Sequence, residues 1–143
     1  MVVKLLKVKN SRMYKQAFVV DSELVKQAQS IMDKIYKENP EHWPYGLTVE
    51  GHDSVYIIED NLTKEAAGFV GWQEHYEDGE NIGSYSIGIL PEFRNKKLAK
   101  EAVAKVIQEK SASVDKIVSY IIVGNSPSEN LAKSLNIPII HSF

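Results

Sequence analysis

Arg94, Lys96, Lys97 and Lys100 stand together in the segment Ile87-Gly-Ile-Leu-Pro-Glu-Phe-Arg-Asn-Lys-Lys-Leu-Ala-Lys-Glu-Ala102, which reads as a strand, a short turn and the start of a helix. A helix N-terminus already carries partial positive charge and is stabilised by Asp or Glu, so clustered cations there work against stability. They make sense if an anion sits among them. The free N–H groups of a first helical turn are a ready site for phosphate. The alternative is a solvated helix start that is merely basic.

The background against which this turn stands out is ordinary. The chain has 143 residues, 43% hydrophobic and 25% charged, with a net charge of −2. That suits a single domain spanning residues 1–143 with a real core, and gives no global nucleic-acid footprint. The basic turn also lacks interleaved aromatics, so no nucleic-acid partner is expected. Cysteine is absent, which excludes disulfides, thiol nucleophiles and thiolate metal sites. His42, His52, His75 and His141 show no metal-ligand spacing, so no metal is expected. There is no Walker-type loop and no Ser-His-Asp order. No apolar run approaches the roughly 20 residues that span a bilayer. Lysines interrupt the apolar N-terminus, unlike a signal peptide. The expectation is a cytoplasmic protein with no membrane partner.

The elements that must position the turn follow from periodicity. Val2–Val8 and Ala17–Val20 read as strands, the second short. From Ser22 to Glu38, Leu24, Val25, Ala28, Ile31, Met32, Ile35 and Tyr36 recur at helical spacing, and Asn39-Pro40 stops the helix. An aromatic loop, Glu41–Gly46, follows. Val55–Asp60, Ala66–His75 and Ile82–Leu90 are joined by short turns and predict an antiparallel meander. Lys97–Lys110 predicts an amphipathic helix. Lys116–Val123 is a nearly continuous apolar strand that a right-handed crossover places parallel to Ile82–Leu90. Ser126-Pro-Ser-Glu129 predicts a helix start with Ser126 as N-cap and Glu129 completing a capping box. A last strand is expected at Pro138–His141. The fold class is α/β, with a mixed, mostly antiparallel central sheet and helices packed on it.

Strand order, the Pro91-Glu-Phe-Arg94 turn and the later Asn125-x-x-Ser128 element together resemble the GNAT superfamily of N-acetyltransferases, over roughly residues 50–137. In that family a Gln/Arg-x-x-Gly-x-Gly/Ala loop binds the pyrophosphate of acetyl-CoA through backbone N–H groups. Here it reads Arg94-Asn95-Lys96-Lys97-Leu98-Ala99. Arg94 and Ala99 match, and Lys97 replaces the middle glycine. Such a lysine is compatible with phosphate binding if its φ is negative and its stem points outward. The resemblance further implies helices on both sheet faces and a splayed parallel pair, Ile82–Leu90 and Lys116–Val123. Ile87, Ile89 and Leu90 would then present backbone groups to the pantetheine arm, with Asn125 and Ser128 contacting the cosubstrate. Gly83 and Gly88 mark either a close backbone approach or relief for a bulky neighbour.

The implied reaction is transfer of an acetyl group from acetyl-CoA to an amine acceptor, a small molecule or a protein. It needs a base for the amine, a donor for the thioester oxygen, and stabilisation of the leaving thiolate. Base candidates are Glu74 and His75, with Tyr85 and Ser86 as further polar groups; strand alternation lets only one of the last two face the cleft. The equally plain reading of Glu74 and His75 is a polar strand end. Trp43, Tyr45 and Trp72 either shape an acceptor pocket or anchor the core. The tyrosine that serves as acid in many family members falls at Ala132 here. A second reading is therefore a non-enzymatic GNAT-like module with a binding or structural role. Only six residues follow Ile137, so the family's terminal strand pair is shortened: the sheet ends early, or a partner chain covers the edge, or the domain belongs to a longer polypeptide; an uncovered apolar edge there invites a homo-oligomer.

Overall fold

The computed structural model describes residues 3–10, 19–20 and 22–141. Val2, Ala17 and Phe18, included in the first two expected strands, lie outside them. The element order is β1 (Val3–Asn10), β2 (Val19–Val20), α1 (Ser22–Glu38), β3 (Ser54–Asp60), β4 (Ala66–Glu77), β5 (Glu80–Ile89), α2 (Leu98–Lys110), β6 (Lys116–Ile121), α3 (Ser126–Ser134) and β7 (Ile139–His141). The sheet order is β2-β1-β3-β4-β5-β6-β7. Every pair up to β4–β5 is antiparallel, while β5–β6 and β6–β7 are parallel.

The β4–β5 hairpin is longer than the alternation pattern implied. Asp78 and Gly79, with φ of +52° and +80°, make a two-residue turn. Both positive angles match the right-handed twist of the flanking strands, so pairing continues to Glu77↔Glu80. The hairpin therefore ends at an Asp-Gly pair, with β4 and β5 each reaching two residues beyond the expected ends at His75 and Ile82.

Helices cover both faces of the sheet. Phe69 and Trp72 lie three apart on β4 and so point to opposite sides. On the Phe69 face, Ala28, Ile31, Met32 and Ile35 of α1 are buried against the strands. A Cβ on Gly88 would lie 2.6 Å from Phe69 and 2.8 Å from Ile35, so the absent side chain makes room for the helix. Here glycine relieves packing. On the Trp72 face, α2 buries Leu98, Ala102, Val103 and Val106. Its polar ends are tied as well: Tyr56 donates to Glu109, Lys110 Nζ donates to Ser54 Oγ at 2.9 Å, and Glu101 accepts the Val3 N–H at 3.0 Å. These ties dock α2 on two strands, β1 and β3, and fix where its N-terminus lies.

The feature that shapes the site is the short contact between β5 and β6. They pair only from Ile82↔Lys116 to Ser84↔Val118. Beyond that step β5 runs on to Ile89 held by β4 alone, while β6 turns to β7, whose register begins at Ser119↔Ile139. The strands thus part at Tyr85 and Ser119. At the far edge β7 leaves Ile140 exposed.

The start of α3 differs from expectation. Asn125, not Ser126, is the N-cap, its side-chain oxygen accepting the Ser128 N–H at 3.5 Å. Gly124, at φ +97°, turns the chain one residue earlier than a Ser126 cap requires. No capping box forms, and Glu129 instead meets His141 Nε2 at 2.8 Å.

The closest backbone approach in the sheet is at Gly68, where a Cβ would lie 2.1 Å from the Gly88 carbonyl oxygen. That neighbour is backbone of a central strand and cannot yield cheaply. Gly68→Ala is expected to destabilise the fold by about 3 kcal/mol, measured as a lower urea midpoint.

Candidate active site

The parted strands open into a cavity of about 690 Å³ on the Phe69 face. Its walls are the C-terminal end of α1, the turn and first residues of α2, and one side of α3. Its floor is Ile87–Ile89 of β5. A smaller recess of about 60 Å³ continues inward between β5 and β6, sharing Trp43, Ile87, Asn125 and Ser128 with the larger space.

The basic turn lines this cavity from Arg94 to Lys100. Pro91–Phe93 form a single 3-10 turn that buries Phe93, and the chain then reverses into α2. Asn95 and Lys97 make the reversal in the left-handed region, with φ of +64° and +61°. Lys97 therefore does not meet the condition of a negative φ. The backbone keeps the conformation a glycine would take, because a sharp entry into α2 needs it, and the lysine side chain is carried along at a cost of about 1–2 kcal/mol. Lys97 is also the N-cap of α2 and provides no side-chain cap, so the helix's first N–H groups are left without one.

The cations of the turn are engaged differently. Arg94 Nε donates to the Ile89 carbonyl at 3.1 Å, and its guanidinium also pairs with Glu38 at the end of α1. Lys96 Nζ lies 5.4 Å from the centre of the Phe93 ring, a cation–π contact. Among the described residues, Lys97 and Lys100 have no ion-pair partner. The site is therefore a helix start with uncapped N–H groups and two uncompensated ammonium groups, facing a large cavity.

The structure brings together Ile87, Ile89, Arg94, Asn95, Lys96, Lys97, Leu98, Ala99, Asn125 and Ser128 around the two spaces. Leu90 is buried and lines neither. Glu74 lies outside both, accepting hydrogen bonds from Trp72 Nε1 at 2.9 Å, Asn81 Nδ2 at 3.1 Å and Ser113 Oγ at 3.1 Å. His75 also lies outside both; its Nε2 is 3.3 Å from Glu77 and 3.4 Å from the hydroxyl of Tyr120, which does line the recess. Trp43 walls both spaces, Trp72 is core and Tyr45 is exposed.

Tyr85 and Ser86 both line the recess. Alternation points them to opposite faces, but the gap runs through the sheet, so both reach it. Among the described residues the buried Tyr85 hydroxyl has no partner at full hydrogen-bond geometry, Ser119 being its polar neighbour. Burial raises its pKa, the neighbouring Ser119 opposing the shift, so it stays a protonated donor at neutral pH. Two residues of the site have no local sequence signal. Glu38 closes on Arg94 across 56 positions of chain, and His52 contacts Ser86 across 34.

A sequence model of the acetyltransferase (GNAT) domain matches residues 7–137. The chain belongs to the GNAT acetyltransferase family. Solved GNAT structures share the fold at low identity. An aminoglycoside N-acetyltransferase, AAC(6′)-Iy in complex with CoA, is similar with a TM-score of 0.68 at 15% identity, over 99% of this chain and 91% of that one. The NatC complex bound to Gag peptide and CoA gives 0.62 at 16%, over 94% and 84%. An N-acetyltransferase from Staphylococcus aureus Mu50 gives 0.64 at 14%, over 95% and 83%. No curated protein matches by sequence. Within this GNAT domain no helix of the described residues is long and apolar enough to cross a membrane.

For this GNAT protein, Lys97→Gly relieves a strained backbone and supplies a better N-cap. The variant is expected to be about 1 kcal/mol more stable, read as a higher thermal midpoint. An unchanged or lower midpoint would show that Lys97 is not strained.

Proposed function

We propose that this protein transfers an acetyl group from acetyl-CoA to a primary amine by direct attack. The observation that carries the reading is the uncapped, lysine-flanked start of α2 at the mouth of a cavity that leads inward to a strand gap lined by hydroxyl groups. An anion-binding mouth joined to a narrow inner recess suits a long ligand with phosphates at one end and a thioester at the other.

In this reading the N–H groups of α2's first turn and the ammonium groups of Lys97 and Lys100 hold the pyrophosphate. Asn95, Lys96, Leu98 and Ala99 shape the same turn. Arg94 joins them when it exchanges Glu38 for a phosphate oxygen. Ile87 and Ile89 flank the extended arm with strand backbone that β6 no longer pairs. Asn125 and Ser128 close the opposite wall. At the inner end Tyr85 keeps its proton and acts as the donor, first to the thioester oxygen as charge develops and then to the leaving thiolate. Tyr85 thereby takes the place of the absent tyrosine at Ala132, which is fully buried. Glu74 is committed to its three donors, and His75 reaches the recess only through its contact with Tyr120.

A second reading, a domain of weak or no activity, has one observation in its favour. Glu38 already neutralises Arg94, so cosubstrate binding must break an ion pair. Calorimetry and turnover separate the two. Binding of CoA is expected to weaken steeply as salt rises, and Arg94→Ala to lower affinity about tenfold. Tyr85→Phe is expected to lower kcat at least tenfold with CoA affinity unchanged. Binding without turnover on any amine would favour the second reading, and no CoA binding at all would overturn both.

A further inference from the structure

The inner recess has a second polar feature that the roles above leave unused. His52 comes from the loop between α1 and β3 and is buried beneath the recess. Its Nδ1 lies 2.9 Å from the Thr48 carbonyl oxygen, and its Nε2 lies 3.1 Å from Ser86 Oγ. A carbonyl can only accept, so the ring proton sits on Nδ1. Nε2 is then the bare nitrogen and accepts the Ser86 O–H. The ring is packed as well: Phe69 stands nearly perpendicular to it with centroids 6.5 Å apart, and Gly71 leaves it room, since a Cβ there would lie 2.3 Å from its Cδ2. The serine lines the recess while the histidine does not. The arrangement is a basic nitrogen, fixed in tautomer and orientation, with one hydroxyl between it and the space where acetyl transfer would occur.

We propose that Ser86 and His52 form the proton relay that deprotonates the acceptor amine. The inference rests on the acetyl-transfer reading and adds its general base. The ammonium form of the amine gives a proton to Ser86 Oγ as Ser86 gives its own to His52 Nε2. The freed lone pair attacks the thioester carbonyl carbon, and the C–S bond breaks. Tyr85 gives its proton to the thiolate and takes up the nitrogen's second proton, leaving an amide, a free thiol and a restored tyrosine. His52 then returns its proton to solvent through Ser86, which restores the dyad.

The surroundings suit that task. Desolvation by burial lowers the His52 pKa below its usual 6.5, the Thr48 carbonyl opposing the shift. Lys9 of β1 pushes it further down, and Asp53 of the same loop pushes it up. β4 brings Phe69 and Gly71 to the ring, and β5 brings Ser86. His52 is thus neutral, and able to accept, through the physiological range. Because its folded-state pKa is depressed, the unfolded chain takes up this proton first as pH falls below 6.5. The fold loses stability there as well.

The test is steady-state kinetics with acetyl-CoA and an accepted primary amine, over pH, on the full chain and on Ser86→Ala, Ser86→Thr and His52→Gln. Ser86→Ala is expected to lower kcat at least tenfold, with CoA affinity by calorimetry within twofold of the parent. The rate of the alanine variant should then climb with pH as the amine ionises by itself. Ser86→Thr restores the hydroxyl and should recover most of the rate and the parent pH profile. His52→Gln should match Ser86→Ala; if it does not fold, the two serine variants decide alone. Turnover by Ser86→Ala with the parent's kcat and pH profile would overturn the relay while leaving acetyl transfer intact. No turnover by the parent protein would overturn acetyl transfer and the relay with it.

Discussion

The parting of two parallel strands after one short run of pairing organises everything else in this molecule. β5 and β6 share ladder contacts only as far as Ser84 and Val118, then diverge. Each backbone N–H and C=O that loses its partner there carries a cost unless water or a ligand satisfies it. A sheet tolerates such a gap only if strong elements hold its two sides. On one side β5 is tied to β4 along its whole length, from Glu80 to Ile89. On the other, β6 is held by β7 and by α3, whose Ala132 is fully buried. The result is a rigid wedge with unpaired strand backbone inside it, which is the surface an extended arm needs.

The wedge explains the strain at its mouth. The chain must leave β5 and enter α2 within a few residues so that the helix crosses to the Trp72 face of the sheet. Asn95 and Lys97 take up the reversal in left-handed backbone. Strain of this kind persists only where surrounding structure fixes it, and it recurs at binding sites. Phe93 buried on one side and Leu98 on the other supply that fixation. A lysine occupies the strained position, where the motif that this turn resembles has a glycine. The backbone geometry has been kept and a charge added to it. Glu38, reaching over from α1, balances that charge density by holding Arg94.

Legibility from sequence divides along the same line. Helical spacing from Ser22 to Glu38, the Asp-Gly turn and the apolar run in β6 are local patterns, and they place the elements within a residue or two. The cations at residues 94–100 were visible because they contradict the electrostatics of a helix start. By contrast, the cap of α3 moved to Asn125 because Gly124 turns the chain early, a backbone event that a Ser-Pro pattern hides. The φ of Lys97 was unreadable because side-chain identity argued against it. Glu38 and His52 were invisible as site residues, since each meets its partner only through the fold. Tyr85 and Ser86 looked mutually exclusive by alternation, and only a gap through the sheet lets both reach one recess.

In the proposed function the helix start, the strand gap and the α3 cap form one continuous site for acetyl-CoA. Backbone amide NMR during titration with acetyl-CoA reads each part separately. Saturable shifts are expected at Asn95–Ala99, Tyr85–Ile89 and Asn125–Ser128 with one common dissociation constant, while amides of β1 and the C-terminal half of α2 stay still. Shifts confined to the basic turn would reduce the site to an unspecific anion contact. Absence of shifts at millimolar ligand would contradict a site for acetyl-CoA outright.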